Sequence, residues 1–318
     1  MMALAGTLFR FKAPTWPAPL QAFESPNSHS HDRFCVYVGG LTDGLLACSY
    51  VEALGSELDR RGWSMVQPVL SSSYAGYGCS SLAKDAEELS ELLQYLDRTR
   101  SVRAFAIIGH STGCQDAVTL LGTAPAHIRR KLRAAVLQAP VSDREAASLE
   151  ENEDARRDLL HEAQSLIDQD RGSTLLSQMH YGFVPMSAAR YASLLGKLTP
   201  DDMFSSDLSE EQLRVILGHM GTRGQRDGRP ASPGYAAIEP VGDHPGLRTL
   251  FAHSGADEYV PSHVDVGRLS QRFVAAAGGS INGASAYIVP DANHNLATPP
   301  SAPSDFIAAV GQLLDEVD

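Results

Sequence analysis

The stretch 106–116, AIIGHSTGCQD, sets Ser111 between two glycines, directly after an apolar run and directly before residues of helical character. A serine hydroxyl is a poor nucleophile until a base takes its proton and a carboxylate orients that base. On a sharp strand-to-helix turn the hydroxyl stands exposed above the sheet. Side chains at 109 and 113 would collide with neighbouring backbone, and the following helix aims its first N–H groups at a developing oxyanion. The plain alternative is a serine that only hydrogen-bonds the end of its strand. Serine chemistry on such a turn calls for the chain order serine, acid, histidine. Asp257, in LRTLFAHSGADEYVP (247–261), supplies the acid, and His294, at the end of AYIVPDANH (286–294), supplies the base. Asp143, just after the run that ends at Gln138, is the alternative place for the acid. Glu258 is expected to point the other way along its loop, and Asp291 is too near His294 in sequence to orient the ring. His110, His253 and His263 do not follow the last strand and are expected to bond locally or sit on the surface, with His110 turned away from Ser111.

An oxyanion hole needs a second N–H besides that of Thr112. The glycine pair in VYVGGLTDG (36–44) lets backbone approach a substrate at Gly40, and the N–H of Leu41 is the expected second donor. Two glycines without a third, or a ribose-binding acid, do not make a dinucleotide fingerprint, so no cofactor is expected. In LSSSYAGYGCSS (70–81), Tyr74 and Tyr77 are expected to wall the acyl pocket.

These residues need a scaffold that brings strand ends to one edge. Apolar runs at 7–11, 20–23, 34–38, 64–69, 103–108, 134–138, 247–252 and 286–289 alternate with helical patterns. Eight strands of this kind predict a mostly parallel sheet flanked by helices in a single α/β domain over 1–318, with the first two strands an antiparallel start. Leu82, Ala86, Leu89, Leu93 and Leu96 share one helical face, with Lys84, Asp85, Glu87, Glu88 and Glu91 expected outside. Residues 143–246 break the rhythm with amphipathic helices and no clear strand, which predicts an inserted helical cap; the glycine-rich stretch 218–234 reads as its return loop.

Composition removes several classes of function. A formal net charge of -12 across 318 residues argues against a nucleic-acid partner. Four cysteines without Cys-x-x-Cys spacing predict neither a disulfide framework nor a zinc site, and a reducing, cytoplasmic setting is expected. Neither a signal peptide nor a membrane span is read from the sequence.

The segments VGGLTDGLL, LSSSYAGYGCSSLAKD, GHSTGCQD, QAPVSDREA, DDMFSSDLS and SGADEYVP carry a match from about residue 34 to residue 261, with a less distinctive one in the histidine loop. In their combination the chain resembles an α/β-hydrolase family of fungi, plants and algae, mostly of unknown function, that includes the fungal fusarinine-type siderophore esterase. The resemblance implies the α/β-hydrolase fold, a Ser111, Asp257 and His294 triad on the matching positions, and an ester substrate of the hydroxamate siderophore kind. Hydrolysis of a small-molecule carboxylic ester without a metal is the expected activity. A slow-turnover small-molecule receptor on the same fold is the alternative of a different class, and a thioesterase or peptidase the alternative within the enzymes.

Overall fold

A computed structural model describes residues 4–12, 19–26, 30–149, 152–180, 182–221 and 246–317. Eight strands, β1 (Thr7–Arg10), β2 (Gln21–Glu24), β3 (Arg33–Val38), β4 (Ser64–Val69), β5 (Ala104–His110), β6 (Leu132–Gln138), β7 (Arg248–Ser254) and β8 (Ala284–Val289), form one sheet in the order β1-β2-β4-β3-β5-β6-β7-β8. The β1/β2 and β2/β4 pairs are antiparallel and the other five parallel. The helices are α1 (Val51–Arg60), α2 (Leu82–Arg100), α3 (Gly113–Thr123), α4 (Ala126–Arg129), α5 (Asp143–Ala146), α6 (Glu153–Asp168), α7 (Ala188–Leu195), α8 (Glu210–Leu217), α9 (Val266–Ala276) and α10 (Ala302–Asp315). This is the α/β-hydrolase fold.

Alternation along each buried strand separates two cores. Phe34, Val36 and Val38 of β3, with Phe105 and Ile107 of β5, face the layer built by α2, α3, α8 and α9. Cys35 and Tyr37, with Ala104, Ala106 and Ile108, face α1 and α10. Near-continuous apolar strands are what a parallel sheet covered on both faces requires. Among the described residues, no helix is long and apolar enough to cross a membrane.

The helix α2 is capped by Ser81 Oγ, which accepts the Lys84 N–H at 3.3 Å, and buries its leucine face. Asp85 and Glu88 are buried rather than outside. The loop from β4 folds over them: Ser71 N–H donates to Glu88 at 2.8 Å, and Ser80 Oγ donates to Asp85 at 3.0 Å. Hydrogen bonds from that loop replace the water that a helical-face reading had assigned to these carboxylates.

The chain between β6 and β7 divides in two. Its first part leaves and returns at a clasp, where Ser142 and Ser205 hydroxyls meet at 2.6 Å and the Glu145 carboxylate accepts both the Ser206 N–H and its hydroxyl. Between the clasp's arms, α6 and α7 pack on one another and share a small core containing Tyr77, Leu176, Val184, Met186, Tyr191 and Leu194. The second part packs with the body of the sheet. Leu213, Ile216 and Leu217 of α8 are buried in the sheet core beside α9, so the expected 143–246 insertion contracts at its C-terminal side to the stretch ending at the clasp. Most of the expected return loop, 222–234, lies outside the described residues.

Candidate active site

The β5 strand ends with Gly109 and His110, and the next residue, Ser111, has a φ of 54° in the left-handed region. Such a backbone is costly for a side chain bearing Cβ and persists when its surroundings over-determine it. Here they do: Ser111 N–H donates to Gln138 O at 3.0 Å, and Cys114 N–H donates to Ser111 O at 2.9 Å. A Cβ at 109 would stand 2.2 Å from Gly113 O, and one at 113 would stand 2.4 Å from Val38 O. Only glycine fits at either position, which is why this strand can turn into α3 within three residues.

After β7, the loop carries Asp257; after β8, the next loop carries His294. His294 Nδ1 donates to Asp257 Oδ2 at 2.8 Å, with Oδ1 at 3.0 Å, which leaves Nε2 as the basic nitrogen. The Asp257 side chain is 2% exposed. Glu258 does not point away: its Oε2 accepts the His294 N–H at 2.8 Å, and Gln138 Nε2 donates to the His294 carbonyl at 3.0 Å. The Tyr259 ring lies edge-on to the imidazole at 4.7 Å between centroids. His294 is thus held by its ring, its N–H and its carbonyl at once.

Ser111 and His294 line one cavity of about 650 Å³, together with Gly40, Leu41, Asp143, Glu258 and Tyr259. Its other side is formed by the segment between β6 and α8: His180, Phe183, Leu194 and Leu195. Gly40 lies against the serine, and a Cβ there would approach Ser111 Cβ to 2.6 Å. The Gly40 N–H is taken by Asp43 Oδ2 at 2.7 Å, whereas neither the Leu41 nor the Thr112 N–H has an acceptor among the described residues. Thr112 is also the first residue of the turn into α3, whose first-turn N–H groups carry the positive end of the helix dipole.

Tyr74 and Tyr77 do not wall this cavity. Tyr77 is buried against α6 and α7 with its hydroxyl 2.7 Å from His180 Nδ1, and Tyr74 is half-exposed with its ring over Gly44. The loop after β4 forms a 3-10 turn over Tyr74–Cys79, which spends Tyr77 on packing against α6 and α7 and leaves Tyr74 over Gly44. Asp143 reaches the cavity but not His294: its Oδ2 accepts from Gln115 Nε2 at 2.8 Å. Burial, with Asp201 adding to it and Arg190 opposing, pushes the Asp143 carboxyl up to about 7. His253 is buried against Ser270, and burial holds its ring down at about 4; His263 is exposed.

His110, expected to turn away from Ser111, lines the same cavity, with its ring centroid 5.0 Å from that of His294. Its Nδ1 meets Gln138 Oε1, which also accepts the Tyr50 hydroxyl at 3.0 Å. Gln138, with no exposed surface, therefore ties His110, the Ser111 turn and the His294 loop together. A glutamine ending an apolar strand is the signal that sequence reading passed over, because burying an amide is worthwhile only where its bonds are made.

The sequence matches, over residues 3–314, the family described as Protein of unknown function (DUF1749). It is 32% identical to a UPF0613 protein of Schizosaccharomyces pombe, across 88% of this chain and 85% of that protein. It is 31% identical to the fusarinine C esterase sidJ of Aspergillus fumigatus, across 86% of this chain and 85% of that protein. Among solved structures, the siderophore hydrolase EstB from Aspergillus fumigatus superposes with a TM-score of 0.77 at 27% identity, across 98% of this chain and 97% of that one.

Proposed function

The chain belongs to the DUF1749 family, and on that premise we propose that it is a serine hydrolase of carboxylic esters. The observation that carries the reading is the His294 and Asp257 pair, 2.8 Å apart, opening on the same cavity as a serine held at positive φ. His294 Nε2 takes the proton of Ser111 Oγ as the hydroxyl attacks the ester carbonyl, a contact that commonly tightens only with substrate bound. Asp257 keeps the proton on Nδ1 and stabilises the imidazolium. The free N–H groups of Leu41 and Thr112 receive the oxyanion. The tetrahedral adduct collapses with the proton passing from His294 to the leaving alcohol, and water then repeats the sequence on the acyl-serine.

The cap supports selection of the ester. Phe183, Leu194 and Leu195 supply apolar wall, while His180 and Asp143 supply the polar groups. Hydroxamate siderophore esters are the first substrates to try, since esterases of such compounds stand among the relatives. A series of p-nitrophenyl esters beside a fusarinine-type siderophore, each with and without prior fluorophosphonate treatment, tests the reading. Turnover abolished by the label is the expected result. A chain that binds esters without turning them over would instead be a receptor.

A further inference from the structure

Three side chains at the wall of the catalytic cavity have no part in the chemistry above. Asp43, Cys48 and His110 each offer one donor atom, and these atoms lie within 4.8 Å of one another. His110 Nε2 stands 4.0 Å from Asp43 Oδ2. All three line the cavity, so an ion entering it reaches them without unfolding. His110 and Cys48 are 4% and 2% exposed, and the ring bond of His110 is made by Nδ1, with Asp43 facing Nε2 from beyond hydrogen-bond distance. Its Nδ1 is engaged by the amide oxygen of Gln138, which acts as acceptor and so fixes the tautomer with a bare Nε2. A ring nitrogen left bare while its partner donates to a fixed oxygen is the arrangement found behind metal-ligating histidines.

We propose that Asp43, Cys48 and His110 bind a zinc-class divalent ion, with the fourth position open to the cavity. A carboxylate, a thiolate and an imidazole suit a borderline ion better than calcium or magnesium, which favour oxygen donors alone. Donors about 2.0–2.3 Å from one ion lie nearer together than these do, so the side chains close by about 1 Å on binding. Cys48 Sγ loses its proton to solvent as the metal–sulfur bond forms, and one proton is released per ion. Binding also draws on Asp43, whose carboxylate holds the Gly40 N–H next to Leu41. Occupation therefore displaces the loop that carries the Leu41 N–H and slows acylation of Ser111. The binding half stands by itself; the inhibitory half rests on Ser111 being the nucleophile.

Cobalt(II) titration of the full chain tests the first half, through the near-ultraviolet charge-transfer band that a thiolate ligand gives. The expected result is a one-ion band that zinc displaces. Cys48→Ser should remove it, Asp43→Asn should weaken binding by at least about tenfold, and Cys79→Ser, which alters the exposed thiol, should leave it in place. Absence of the band in the wild-type chain, or its persistence in Cys48→Ser, would overturn the site. For the second half, zinc should slow fluorophosphonate labelling of the wild-type chain and have little effect on Cys48→Ser. Zinc that binds without slowing a chain that does take the label would overturn the inhibition, whereas a chain that takes no label at all would count against the esterase reading instead.

Discussion

Ser111 sits at φ 54° because Gln138, Cys114 and two glycines leave the turn no other course. That backbone is stored strain, and strain at a reactive residue trades stability for geometry. Ser111→Gly should therefore raise the melting temperature while abolishing turnover, and Ser111→Ala should abolish turnover, by at least about 10⁴-fold, without that gain. Thermal unfolding beside ester assays checks both; equal melting temperatures for the two variants would remove the strain argument. Asp257→Asn leaves the ring of His294 without its acceptor and should cost about 10⁴-fold in turnover. Asp143→Asn should stay within tenfold of the wild type by the same assay, since Asp143 bonds Gln115 and not His294. The positions of Ser111, Asp257 and His294 after β5, β7 and β8 were legible in the sequence because each follows an apolar run that ends in a turn. The bonds of Glu258, Gln138 and His110 were not legible. They depend on which strand ends become neighbours, and no local pattern records that.

At the scale of elements, α7 is joined to the body by one buried cation among carboxylates. Arg190 Nη1 donates to Asp201 at 2.6 Å and Nε donates to Tyr77 O at 3.1 Å. Asp85, Asp116 and Asp143 lie near enough to feel its charge. Arg190→Met leaves these carboxylates without their cation and should destabilise the chain by about 3–5 kcal/mol, measured by urea denaturation. An unchanged midpoint would show that the network carries nothing. The same cluster sets a pH dependence. In the folded chain Asp143 keeps its proton to about pH 7, against an ordinary value of 3.8. The folded state thus binds a proton that the unfolded state has released, and the stability this confers is lost as pH rises through 7. Melting temperature should fall between about pH 4 and pH 7, and Asp143→Asn, which can still accept from Gln115, should flatten that fall. A variant with an undiminished slope would assign the pH dependence elsewhere. The sequence could not announce this cluster, because Asp85 on α2, Asp116 on α3 and Arg190 on α7 belong to three separate amphipathic patterns.

Across the whole molecule, the sheet edge that carries Ser111 and His294 shares its cavity with the segment between β6 and α8. The strand order was not legible in the sequence, whereas the eight strands, the mostly parallel sheet and its covering by helices follow from apolar periodicity and so were legible. The extent of the cap was less so, since α8 is as amphipathic as α6 and only its burial beside α9 assigns it to the body. Exchanging the segment between the two arms of the clasp for that of a relative should change which esters are cleaved, with less effect on labelling by a small fluorophosphonate. Everything in this account turns on Ser111 becoming acylated. Reacting the chain with a fluorophosphonate, digesting it and locating the adduct by mass spectrometry tests that most directly. The account predicts one adduct per chain, on Ser111, appearing in step with the loss of ester turnover. Turnover that persists in the fully labelled chain, or an adduct on another residue that accompanies its loss, would contradict it.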